Sequence, residues 1–119
     1  MERPHKKLDV WKMAMDLVFD VYRVTKNFPM EEKYSLTDQL RRAAISVPSN
    51  IAEGAARNTK KEFTNFLYMA QGSLSELDTQ SEIALKVGYV ESKDFENLEL
   101  KMDRIGRMIT GLIKSVRNS

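Results

Sequence analysis

The sequence predicts an all-α protein: an antiparallel, up-down-up-down four-helix bundle with its second helix kinked at Pro48. Three observations carry that reading. Apolar residues recur at alternating steps of three and four in successive stretches, the repeat of helices packed at shallow crossing angles. Glycine and proline are few, 5 and 3 in 119 residues, and they cluster where those stretches end. The connections are short, which forces neighbouring helices to run antiparallel. The length suits a single domain, residues 1–119, around one core.

The first helix is expected over residues 9–26, where Val10, Ala14, Leu17, Val21, Val24 and Phe28 form one apolar seam. Trp11, Met15, Val18 and Tyr22 form a second stripe beside it. The next helix is expected over residues 36–57, with Ser35 as N-cap and Asp38 three residues later. Leu36, Leu40, Ala43, Val47 and Ile51 make its seam, and a complete break at Val47 is the alternative to a kink.

Thr59-Lys60-Lys61-Glu62 reads as a capping box for a third helix over residues 60–87. Its seam is Phe63, Leu67, Ala70, Leu74, Leu77, Ser81 and Ala84, with Gly88 as the stop. Gly72, inside that helix, reads as a site of close helix approach. Ser92 is expected to cap the fourth helix, residues 93–116, with the seam Phe95, Leu98, Met102, Ile105, Ile109, Leu112 and Val116.

Several apolar residues exceed what one core needs: Ile45, Ala52 and Ala56 on the second helix, Met108 and Ile113 on the fourth, and the Trp11 stripe. Such aligned surplus predicts self-association, against the plainer reading of a wide core stripe.

The most specific segment is QLRRAAISVPSNIAEG, Gln39 to Gly54. Pro48 has no N–H, so the Ala44 carbonyl loses its helical partner. Gln39, Arg42, Ser46, Asn50 and Glu53 form a polar stripe, continued by Arg57, with Ser49 beside the proline. The centre of the stripe is expected to be structural, its hydroxyl and amide groups occupying freed backbone positions. Glu53 is expected either to accept from Arg42 or Gln39 of another subunit or to pair with Arg57 along its own helix.

The net charge is +2, too small by itself to mark a nucleic-acid-binding protein. The distribution is uneven. No Lys or Arg occurs between Glu62 and Leu85, whereas from Lys101 to the end of the chain Lys101, Arg104, Arg107, Lys114 and Arg117 face a single acid, Asp103. Matching of the helix dipole explains part of this pattern. The remaining candidates for phosphate contact are Arg41, Arg57, Lys60 and Lys61 around the second-to-third helix junction.

Catalytic and cofactor chemistry finds no support. Cysteine is absent and the single histidine, His5, precedes the first helix, so zinc and di-iron ligand sets are missing. No Gly-rich phosphate loop occurs. The expectation is a protein that is not an enzyme and needs no cofactor. MERPHKKLDV lacks the apolar core of a signal peptide and no run matches a membrane span, so a cytoplasmic location without membrane partners is expected.

FPMEEKYSLTDQLRRAAISVPSNIAEGAAR followed by EFTNFLYMAQGSLSEL resembles the 23S ribosomal RNA intervening-sequence proteins. The resemblance extends to LDVWKMAMDLVFDVY and the late KVGYV turn, and SVPSNIAEG is its most specific part. It implies an up-down bundle assembled as a ring-shaped homo-oligomer, a pentamer. The chain is also similar to the accessory variability protein of diversity-generating retroelements, a strongly basic bundle that works with nucleic acid; the near-neutral charge departs from that pattern. The reading is a non-catalytic oligomeric binding or assembly protein with structured RNA or DNA as partner. The alternative is an adaptor that holds another protein and never touches nucleic acid.

Overall fold

The computed structural model describes residues 2–119 as an arrangement of four helices. They are α1 (Asp9–Thr25), α2 (Leu36–Ala55), α3 (Lys60–Lys86) and α4 (Ser92–Arg117), with short 3-10 turns at Pro4–Lys7 and Met30–Glu32. No strand occurs among the described residues. The helices end within two residues of the expected positions; α2 shows the largest change, stopping at Ala55 so that Arg57 lies in the turn.

α1 packs on α2 and α4, and α3 packs on α2 and α4, without diagonal contacts among the described residues. Overall dimensions of 45 × 23 × 21 Å fit two helices by two, given diameters of about 10–12 Å with side chains. Cross-helix bonds match rising numbers on one helix to falling numbers on its neighbour. On α1 and α2, Thr25 meets Arg41 while His5, just before α1, shares a groove with Ala56. On α3 and α4, Tyr68 meets Arg117 and Gln71 meets Thr110.

The seams bury the heptad residues. Val10, Ala14, Leu17 and Val21 of α1 meet Leu40, Ala43, Val47 and Ile51 of α2 in one core, completed by Leu67, Ala70, Leu74 and Leu77 and by Leu98, Met102, Ile105 and Ile109. At the end of α4 the buried stripe shifts by one residue. Ile113 is 4% exposed, while Leu112 and Val116 lie at the edge. Ile113 is therefore core and not surplus apolar surface.

α2 runs unbroken through Pro48, which excludes a complete break at Val47. Pro48 and Ala44 are both buried, so the missing N–H falls on the core side of the helix. The side-chain bonds nearby take a different route from the expected one. Asn50 Nδ2 donates to the Ser46 carbonyl at 2.9 Å and to Ser46 Oγ at 3.3 Å, and the Ala44 carbonyl receives neither.

The helix boundaries show which caps are chemical. Thr59 Oγ1 accepts from the Glu62 N–H at 3.1 Å and donates to Glu62 Oε1 at 3.2 Å. Gly88, at φ +87°, closes α3: its N–H bonds the Leu85 carbonyl, and the Tyr89 N–H bonds Ala84. Ser35 makes no side-chain cap bond, and Glu32 Oε1 takes the Leu36 N–H instead at 3.4 Å. Ser92 is the first residue of α4 and Glu91 holds the cap position, again without a side-chain bond.

The close helix approach occurs at Gly54 and not at Gly72. A Cβ on Gly54 would stand 2.8 Å from Phe66 Cβ and 3.1 Å from the Phe63 carbonyl, whereas one on Gly72 meets nothing within 4 Å. Of these two glycines, only Gly54, facing the α2–α3 seam, is sterically required.

Candidate functional site

No group of three or more His, Asp or Glu side chains is placed to hold a metal among the described residues. No described helix is long and apolar enough to cross a membrane. The surfaces available for function are a basic end, an apolar groove between α1 and α2, and an acidic groove between α3 and α4.

The basic end forms where α2 stops, α3 starts and α4 stops. Arg57 stacks on Phe66 at 4.8 Å, and Arg117 lies 5.5 Å from the Tyr68 ring centre while donating to its hydroxyl at 2.6 Å. Two aromatics in the first three turns of α3 thus hold Arg57, just past α2, and Arg117, the last residue of α4, along the helix that opens with exposed Lys60 and Lys61. Lys114 lies one turn before Arg117 and is exposed. Arg3 and His5 share a groove with Ser49, Glu53 and Ala56, which adds the Arg3–Lys7 segment to this end. Arg3, Lys6 and Lys7 were not singled out by sequence reasoning. Their signal was the charge run RPHKK, whose position beside the end of α2 depends on the packing of α1.

The other basic candidates separate from this group. Arg104 and Arg107 are exposed midway along α4, and Arg107 lines the acidic groove. Lys101 is engaged within the fold by Asp20, which is 6% exposed and also takes Arg23 at 2.9 Å and Asn97 at 3.5 Å. Arg41 is half-buried; its Nε donates to Thr25 Oγ1 at 2.9 Å and its guanidinium stacks on Tyr22 at 4.5 Å. The polar stripe likewise divides. Gln39 Oε1 accepts from Gln80 Nε2 at 3.4 Å, Arg42 pairs with Asp38 at 2.9 Å, and Glu53 pairs with Arg57 at 3.4 Å. Ser46 and Asn50 bond each other between these pairs.

The surplus apolar residues converge. Trp11, Met15 and Val18 face Ile45, Pro48 and Ala52 across a groove of about 330 Å³. Met108 packs against the core, as Trp11 does, but lies outside this groove, and Val18 in the groove wall is itself a core residue.

The opposite groove, about 600 Å³, has Leu74, Met102 and Gly106 at its base and Asp78, Glu99, Asp103 and Arg107 along its sides. Burial, more than any other cause, pushes the Glu99 carboxyl up to about 7; a hydrogen bond to Asp78 adds to it, followed by the charges of Asp78, Asp103 and Glu82. Asp78 Oδ1 and Glu82 Oε2 are buried without a hydrogen-bond partner. This convergence was not anticipated, because acids on separate helices look like solvated faces until the register brings them together.

The fold is a small arrangement of four helices whose described residues hold no group of three or more His, Asp or Glu placed to bind a metal. The chain belongs to the 23S rRNA-intervening sequence protein family, whose model matches residues 6–111. A solved structure with a similar fold is a protein of unknown function from the S23 ribosomal protein family of Bacteroides thetaiotaomicron. It is 20% identical with a TM-score of 0.81, covering 88% of this chain and 95% of that one. No curated protein matches the chain.

Proposed function

We propose that this chain is a non-catalytic, self-associating bundle that binds structured RNA or DNA through its basic end. The supporting observation is the gathering of Arg57, Lys60, Lys61 and Arg117 around the start of α3, beside the Arg3–Lys7 segment. Glu62 is used in the α3 cap, while Glu53 pairs with Arg57 and offsets part of its charge, which leaves Lys60, Lys61 and Arg117 as the cations of this group without an ion-pair partner among the described residues. Repetition of the same basic end across a homo-oligomer multiplies a weak single-subunit contact. The family resemblance points to a pentamer as the assembled form.

The basic end carries lysine and arginine and no base-reading motif, so affinity comes from phosphate contacts and selectivity from shape or single-strandedness. Arg104 and Arg107 form a secondary contact at most, while Arg41 and Lys101 serve the fold.

Titration of folded RNA, duplex DNA and single strands at low salt tests the reading. Binding at about micromolar affinity, weakening steeply with salt, is expected. Absence of binding to all of them overturns the nucleic-acid reading and favours a protein adaptor, to which the α1–α2 groove offers an apolar surface.

A further inference from the structure

The α1–α2 and α3–α4 grooves lie on opposite faces of the bundle, because α1 and α3 are diagonal and share no contact among the described residues. Their chemistry is complementary. The first is apolar, and Arg41 lies one helical turn before its Ile45 with no carboxylate within ion-pair distance among the described residues. The second holds Asp78, Glu99 and Asp103 with Arg107 beside them, and Asp78 Oδ1 is buried there without a hydrogen-bond partner.

Their heights also match. Gln39 of α2 meets Gln80 of α3, which sets a common level on the two helices. Arg41 lies two residues along α2 and Asp78 two residues back along α3, so each stands about 3 Å from that level in the same direction. Glu99 faces Asp78 across the groove. Two copies side by side in the same orientation therefore bring Arg41 of one level with Asp78 and Glu99 of the other. Leu100, 70% exposed, falls at helical spacing with Asp103 and Arg107 and supplies an apolar residue at the groove's edge.

We infer that the α1–α2 groove of one subunit docks on the α3–α4 groove of a second copy of this chain, with Arg41 answering the Asp78–Glu99 carboxyls. The inference rests on the proposed self-association and specifies its geometry. The contact is heterologous, since each subunit offers one face and receives the other, and it propagates to a closed ring or an open filament according to the rotation per subunit. Ser49, Ala52 and Pro48 line the apolar groove with small side chains. Tyr22 holds the guanidinium in place before contact, which reduces the ordering cost of the pair.

The test uses the full chain in two crippled forms. Ile45→Arg blocks the apolar face, and Glu99→Arg combined with Asp103→Arg reverses the acidic face. Light scattering on a sizing column is expected to report several times the 13.7 kDa subunit mass for the parent and one subunit for each variant alone. Mixed in equal amounts, the variants should form a dimer and nothing larger, because each retains the face the other has lost. That dimer also shows that both variants are folded. Trp11, the one tryptophan, lies in the apolar groove, so its emission should shift to shorter wavelength on mixing. A parent that stays monomeric overturns self-association and this inference together. An oligomeric parent whose acidic-face variant still assembles overturns this inference alone, and so does a mixture that yields no dimer although both variants melt cooperatively.

Discussion

α3 forms two seams of opposite character. Toward α2 it is closed: Gly54 brings the backbones so near that a single added carbon would strike Phe66 and Phe63. Toward α4 it opens into the acidic groove, where carboxyls from both helices face each other. Small residues close the first seam. In the second, apolar side chains form the floor and acids line the sides, so heptad spacing alone does not guarantee a sealed interface. The sealed seam contributes stability, and the open one keeps a buried Asp78 oxygen that no side chain among the described residues satisfies.

The largest expected effect lies in the closed seam. Ile51→Ala removes a fully buried side chain and should cost about 2–5 kcal/mol, read as a lower denaturant midpoint with an unchanged slope. A cost below 1 kcal/mol would mean that the seam is loosely packed.

Glycine substitutions sharpen the contrast within one residue type. Gly54→Ala forces backbone or Phe66 to move and should destabilise by about 1–3 kcal/mol. Gly72→Ala enters open space inside a helix and should stabilise by about 0.5–1 kcal/mol. Equal effects on thermal melting would remove the steric distinction between the two sites.

The acidic groove makes a prediction with a definite sign. Glu99 is raised in the folded state from 4.5 to about 7, so folding favours its protonated form. Its contribution is fully present below pH 4.5 and is lost as pH rises through about 7. Stability of the chain below its association concentration should therefore fall across that interval, and Glu99→Gln should flatten the fall. A Glu99→Gln profile as steep as the parent's would place the titration elsewhere.

Much of the fold was legible because burial follows spacing. Leu67, Ala70, Leu74 and Leu77 are buried at the expected steps, and Thr59 and Gly88 bound α3 through local chemistry that needs no tertiary information. What failed depended on contacts distant in sequence. Asp20 reads as one more polar residue on α1, and its burial becomes intelligible only with Lys101, 81 residues away, beside it. Gly54 and Gly72 are equivalent in sequence until a neighbour's position is known. The basic candidates were all visible as residues. Their separation into an exposed end, an exposed pair midway along α4 and two side chains engaged in the fold required Thr25, Tyr22 and Asp20 to be in place.

The central functional claim is that phosphate is held at the basic end. Its most direct test is the slope of log affinity for folded RNA against log salt, compared between the parent and Lys60→Glu with Lys61→Glu. Each phosphate contact contributes about 0.9 to that slope for duplex nucleic acid, so loss of both lysines should flatten it by about 2 while leaving the oligomer mass unchanged. An unchanged slope and affinity in the double variant would contradict the claim and move any nucleic-acid contact away from this end.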